Sequence, residues 1–253
     1  MYDRRTMLGK TMLGLLGGLG LAPLAAAQGV VREPPKRRAN VLLVSAESEN
    51  HSAETLPQLA QQLESGKTMR CQVLAGGPKD IQGIEDIEDA DLVILYVDST
   101  QLPASQLGAI QKYANSGKPL VALRSSLQGF RNWNDFGSEV LGARWQFHYG
   151  ANSTTQVSVV DPKDPIVNGL PPEFPSPSPL YHVLPLAKSC KPLLLGKSVG
   201  PSDRTERAAN PVAWTNTHKG GRVFYTSLGY AEDFSSEPFR KLLFNAVNWA
   251  LNR

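Results

Sequence analysis

The chain has 253 residues and a formal net charge of +3, with 41% hydrophobic and 19% charged side chains; this suits one large or two small folded domains and excludes wholesale disorder. The isoelectric point is near 8.8, but the excess positive charge sits at the front, in Arg4, Arg5, Lys10, Arg32, Lys36, Arg37 and Arg38. From Asn40 onward the chain is close to neutral and carries no RNA-binding or zinc-finger pattern, so no nucleic-acid partner is expected.

Residues 1–27 read as a twin-arginine (Tat) signal peptide. Asp3-Arg4-Arg5-Thr6-Met7-Leu8 carries the arginine pair, Met12 to Leu24 is apolar and Gly-rich, and Ala25-Ala26-Ala27 offers a cleavage site after Ala27. The alternative is a retained anchor, for which the apolar run is short and glycine-rich. The expected location is periplasmic or otherwise secreted, with no stable membrane span after cleavage. Residues 28–39, with Pro34, Pro35 and a basic cluster, read as a linker to a domain spanning 40–253.

Asn40 to Val44 is a short continuous apolar run, as in a strand buried on both faces. Ala53 to Ser65 predicts a helix with Leu56, Leu59, Ala60 and Leu63 on one face and Gly66 as its stop. Met69 to Leu74 predicts a second strand, Ile81, Ile84 and Ile87 a short helical turn, and Asp91 to Val97 a third strand. A helix from Pro103 to Ser116 and a fourth strand from Pro119 to Leu123 follow. This alternation implies an α/β fold with a mostly parallel central sheet and helices on both faces. Beyond Gly150 the pattern changes. Thr154 to Val160 predicts a strand, Pro171 to Pro179 a proline-dense loop, and Leu193 to Leu195 and Pro211 to Trp214 short strands. Arg222 to Ser227 is a strong strand after Gly220-Gly221, and Pro238 to Leu251 a closing helix. Cys71 and Cys190 have no metal-type spacing; an oxidising compartment permits a disulfide, but both sit beside strand-like runs, which favours two separate buried thiols.

Ligands of open α/β sheets bind outside the carboxyl ends of the strands. The tips here are Ser45, Glu47, Glu49, Asn50 and His51; Asp98, Ser99 and Thr100; Arg124, Ser125 and Ser126; and Ser227, Leu228, Gly229 and Tyr230. Arg124 stands at a strand-to-turn elbow. As a permanent cation it could clamp a carboxylate, phosphate or polarised sugar oxygen, or pair with Asp98 or Glu47 to stiffen the crevice. Arg124, His148, Asp98 and Glu47 are the candidate catalytic residues. His51, Ser125, Trp133, Tyr181 and Tyr230 are the candidates for substrate binding, Trp133 with packing as its competing role. A metal site from Glu47 or Glu49, His51 and His148 lacks local ligand spacing, so no metal and no cofactor is expected.

Three stretches together resemble the ThuA-like (trehalose utilisation) domain family. The first is Ala90 to Tyr96 with Tyr113-Ala114-Asn115-Ser116-Gly117-Lys118-Pro119. The second is Gly142 to His148, running on to Asp164-Pro165-Ile166-Val167-Asn168-Gly169-Leu170. The third is Asn210 to Trp214, then Gly221 to Gly229 and the closing Trp249-Ala250. The resemblance implies a class I glutamine amidotransferase-like, flavodoxin-like fold and the binding or processing of a small carbohydrate, a glycoside or keto-sugar. It also implies departures. Family members carry His where Arg124 stands, Asp-Glu-Leu-Tyr where Ser178-Pro179-Leu180-Tyr181 stands, and Gly-His where Gly229-Tyr230 stands. Tyr181, His148 and His51 match. Two readings stay open: an exported carbohydrate-processing protein, and a non-catalytic binding or scaffold descendant.

Overall fold

The computed structural model describes residues 37–200 and 208–253. The expected signal peptide, residues 1–27, and the expected linker as far as residue 36 lie outside the described residues. The strand β1 (Ala39–Ala46) begins one residue before Asn40, and Arg37 grips Asp91 through both carboxylate oxygens at 2.7 and 2.9 Å.

The first half alternates as the apolar runs predict. β1 is followed by α1 (Ser52–Ser65), β2 (Met69–Ala75), a 3₁₀ turn at Ile84–Asp89, β3 (Leu92–Val97), α2 (Ala104–Asn115) and β4 (Leu120–Leu123). All six residues of β3 are buried, which is why it reads as an unbroken hydrophobic run rather than an alternation. The second half contains β5 (Phe147–His148), β6 (Thr154–Val159), β7 (Glu173–Ser176), β8 (Tyr181–His182), β9 (Lys191–Val199), β10 (Asn210–His218), β11 (Gly221–Thr226) and α3 (Glu237–Ala250).

Among the described residues nine strands form one sheet in the order β2-β1-β3-β4-β11-β10-β9-β6-β7, and β5 and β8 form a separate two-stranded ribbon. The pairings from β2 to β11 are parallel and those from β11 to β7 antiparallel. The expectation of a mostly parallel sheet is corrected: the sheet is mixed. Among the described residues its second half has no α-helix between strands, and strands fold back on one another, as at the Lys219-Gly220 turn joining β10 to β11.

Alternate side chains of the central strands go to opposite faces. Val41, Leu43, Ile94, Val121 and Phe224 pack with α1 and α3 through Leu56, Leu59, Phe239, Leu242 and Val247. Leu42, Val44, Val93, Leu95, Ala122 and Tyr225 pack with α2 and the 3₁₀ turn through Ile84, Ile87 and Ile110. The 171–179 segment is not all loop. Residues 173–176 form the outer strand β7, with Pro175 opposite Gln156; a proline's missing N–H is tolerated on an edge. The 193–195 and 211–214 strands are longer than the apolar signal suggests. In β10 the apolar run gives way to Thr215, Asn216 and Thr217, with a register shift after Pro211. Cys71 and Cys190 are separate, half-buried free thiols. Burial, with Glu64 nearby, pushes the Cys71 pKa up to about 12, and burial pushes Cys190 up to about 11. Among the described residues no helix is long and apolar enough to cross a membrane.

Candidate functional site

The order β2-β1-β3-β4-β11 reverses direction beside β1, since β1 leads outward to β2 and the chain then returns across it to β3. A crevice opens at the carboxyl ends of strands at such a reversal. The four tips there carry left-handed or otherwise positive φ: His51 at 57°, Ser99 at 47°, Arg124 at 44° and Gly229 at 136°. Three of these are not glycine, and such backbone persists only where its surroundings enforce it. At the Arg124 elbow the enforcement is visible. The Tyr225 hydroxyl donates to the Arg124 carbonyl at 2.7 Å, while Ser126 Oγ donates to the Leu95 carbonyl at 2.9 Å and accepts from the Val97 N–H at 3.1 Å.

Arg124 is 3% exposed. Its Nε donates to Asn50 Oδ1 at 3.0 Å and its Nη1 to the Ser227 carbonyl at 2.9 Å. The guanidinium lies over the Tyr230 ring at 4.1 Å and the Tyr181 ring at 4.8 Å. Asn50 is itself fixed by Glu47, whose Oε2 accepts from the Asn50 backbone and side-chain N–H groups at 2.7 and 3.0 Å. The other Glu47 oxygen accepts the Ser52 N–H at 2.7 Å, supplying the first turn of α1 with an acceptor that His51 does not provide. Among the described residues no carboxylate lies within ion-pair distance of Arg124, so the closed pairing with Asp98 or Glu47 is not formed.

Arg124 and Ser125 open onto a cavity of about 240 Å³ that is also lined by Glu49, Asn50, Asp98, Gln128, Trp145, His148, Ala151, Pro179, Tyr181 and Tyr230. Its floor is buried (Asn50, Arg124, Ser125, Tyr181) and its rim exposed (Glu49, Gln128, His148). Two buried polar atoms of lining residues have no hydrogen-bond partner among the described residues: Ser125 Oγ and the indole Nε1 of Trp145. Between floor and rim, burial pushes the Asp98 pKa above the ordinary carboxylate value; the hydroxyl of Ser99 at 3.1 Å opposes this, and the charge of Glu49 adds to it.

The structure therefore brings Arg124, Asp98, His148, Ser125, Tyr181 and Tyr230 together. It does not bring Glu47, His51 or Trp133 to the cavity. Glu47 caps α1; His51 is exposed, 3.6 Å from Glu54; and Trp133 stacks with Phe130 and Phe136 in an aromatic cluster elsewhere. Among the described residues no group of three or more His, Cys, Asp or Glu could hold a metal ion. Sequence reasoning passed over Asp233. Asp233, 1% exposed, accepts from Ser176 Oγ at 2.7 Å, Ser178 Oγ at 2.6 Å and the N–H groups of Gly229 and Tyr230 at 2.9 and 3.0 Å. It thereby holds the turn that lays Tyr230 against Arg124.

A family model described as ThuA, trehalose utilisation, matches residues 40–250. No curated protein matches. Among solved structures, a ThuA-like protein from Bacteroides uniformis is 17% identical with a TM-score of 0.67, over 87% of this chain and 94% of that one. A ThuA-like protein from Parabacteroides merdae is 16% identical with a TM-score of 0.66, over 85% and 90%. The N-terminal domain of mmIFT52 is 14% identical with a TM-score of 0.54, over 84% and 97%. At these identities the likeness is one of fold.

Proposed function

The chain belongs to the ThuA (trehalose utilisation) family, and from that premise we propose that it has a carbohydrate-related role in which the cavity binds a sugar-like small molecule, a glycoside or keto-sugar. The observation that carries the reading is Arg124: a buried cation at the cavity floor, clasped by two tyrosine rings and without a carboxylate partner among the described residues. The cavity is smaller than the roughly 300–1,000 Å³ usual for drug-sized ligands, which suits a single sugar ring. Trp145, Tyr181 and Tyr230 offer apolar faces, while Asp98, Glu49 and Gln128 offer acceptors for hydroxyl groups. The strand order of the parallel half, 2-1-3-4 and then β11, supports a flavodoxin-like, amidotransferase-like scaffold with its site at the strand tips.

If the ligand is also processed, Asp98, Glu49 and His148 are the groups placed to move a proton. The second reading, a non-catalytic binding or scaffold domain, draws on Glu47, whose two oxygens are engaged in holding Asn50 and α1. The twin-arginine leader completes the proposal: the domain works in the periplasm or outside the cell. N-terminal sequencing of the exported protein should find cleavage near Ala27. The test of the site is a thermal-shift and turnover screen with glycosides, keto-glycosides and sugar acids on the protein and on Arg124→Ala. Binding that the substitution abolishes is the expected result. No response to any sugar overturns the reading, and binding without turnover favours the second.

A further inference from the structure

The chemistry of the cavity floor narrows the ligand class, an inference that rests on the sugar-site reading above. The buried floor carries one permanent cation, Arg124, and no carboxylate among the described residues. Arg124 uses Nε and Nη1 on Asn50 and Ser227, and its other N–H groups have no acceptor among the described residues. Among the described residues Ser125, 6% exposed, has an Oγ with no partner, and Trp145 has an indole N–H with none. The amide acceptor on the floor, Asn50 Oδ1, is already taken by Arg124, and the Ser125 and Tyr181 hydroxyls are neutral groups that can donate as well as accept. Unserved N–H groups on a buried guanidinium are costly, so Arg124 in the lining of this cavity marks the position of a ligand acceptor. The carboxylates of Asp98 and Glu49 are placed differently. Glu49 is exposed at the rim and Asp98 only partly buried, so water weakens their hold on the floor charge.

We infer that the site selects a sugar acid, a uronate or aldonate, seated with its carboxylate on Arg124, Ser125 and Trp145 and its hydroxyl groups towards Asp98, Glu49 and Gln128. A carboxylate supplies the missing negative charge and several lone pairs to donors that diverge from one guanidinium, whereas a neutral sugar supplies only hydroxyl or carbonyl oxygens. The polarity of the cavity, donors inside and acceptors outside, matches the polarity of such a molecule.

The test is calorimetric titration of the purified protein with glucuronate, galacturonate and gluconate, against glucose, methyl glucoside and a keto-glucoside, with acetate as a carboxylate lacking the sugar. The sugar acid is expected to bind roughly ten- to a hundredfold tighter than the matching neutral sugar, the scale of one charge-assisted hydrogen-bond set. Acetate should bind far more weakly than either. Arg124→Met should erase the acid-over-neutral ratio. Ser125→Ala and Trp145→Phe, which leave the elbow and its ties in place, should each shrink the ratio severalfold, and they carry the test if Arg124→Met does not fold. Neutral sugars binding as tightly as the acids, in a manner abolished by Arg124→Met, would overturn this inference and leave the sugar-site reading standing. An absence of binding by any sugar, neutral or acidic, would overturn both.

Discussion

Asp233 offers the most direct check on how the site is held. Its carboxylate is buried and accepts four hydrogen bonds, two from serine hydroxyls and two from backbone N–H groups. Asp233→Ala removes both acceptor oxygens and with them all four bonds. The serine hydroxyls can rotate towards other acceptors, and the Gly229 and Tyr230 N–H groups can fall back on Ser178 Oγ at 3.2 and 3.1 Å. Discounting for that retreat, the loss is roughly 3–5 kcal/mol, from about 1–3 kcal/mol per unsatisfied buried donor. In a domain of this size that is a fall in Tm of roughly 6–20 °C. Asp233→Asn should be far milder. Its amide oxygen can replace Oδ2, which receives three of the bonds, and its amide NH₂ can face Ser176 Oγ, whose hydroxyl turns to accept. Only the charge is lost, worth about 1–2 kcal/mol. The assay is thermal and urea denaturation of the two variants beside the parent protein. An Asn variant as damaged as the Ala variant, or an Ala variant within about 1 kcal/mol of the parent, would refute the network.

Three further outcomes follow from the geometry. Burial lifts the Asp98 pKa, so the folded state binds that proton more tightly than the unfolded chain; the stability it contributes is present below the unfolded pKa and is lost as pH rises through the folded one. Asp98→Asn should therefore raise Tm at neutral pH and give no gain at acid pH below the ordinary carboxylate range, as a pH series of thermal scans would read. Gly229 has φ 136°, and a Cβ there would meet Tyr96 Oη at 3.6 Å and Arg124 Cβ at 3.7 Å, so space is adequate and the backbone is the obstacle. Gly229→Ala should cost about 1–3 kcal/mol of unfolding free energy, measurable by denaturant titration. Cys71 and Cys190, with thiol pKa values pushed up to about 12 and about 11, should alkylate slowly at neutral pH and rapidly in denaturant, as mass spectrometry of iodoacetamide adducts would follow.

Much of the scaffold was legible because its signals are local. The Val41–Val44 and Leu92–Val97 runs are apolar throughout because β1 and β3 are covered on both faces, and Leu56, Leu59 and Leu63 repeat at helical spacing because α1 shows one face to the sheet. The strand-tip rule then located Asp98, Arg124 and Tyr230 at one cavity. What stayed hidden depends on distance along the chain. Asp233 sits in an unremarkable polar stretch, and its serine partners lie 57 and 55 residues away. β7 was hidden by Pro175 and Pro177, whose bias against strands an edge position overrides. Glu47 is held off the cavity for a different reason: its carboxylate accepts the N–H groups of Asn50 and Ser52, three and five residues on, a bridge across the loop before α1 that has no standard capping spacing to betray it.

The same elbow separates a working site from a plain scaffold. A domain kept only for shape gains nothing from a buried guanidinium with no counter-ion among the described residues, because its desolvation is costly. That burden falls on Arg124, and binding of a complementary ligand would offset it. In the absence of ligand the charge should thus be a liability. Arg124→Met keeps the apolar reach between Tyr181 and Tyr230, and water entering the cavity can serve the freed Asn50 Oδ1 and Ser227 carbonyl. The ligand-free variant is expected to melt no lower than the parent protein. A marked fall in its Tm by scanning fluorimetry would make Arg124 a structural tie between β1, β4 and β11, and would return the domain to the scaffold reading.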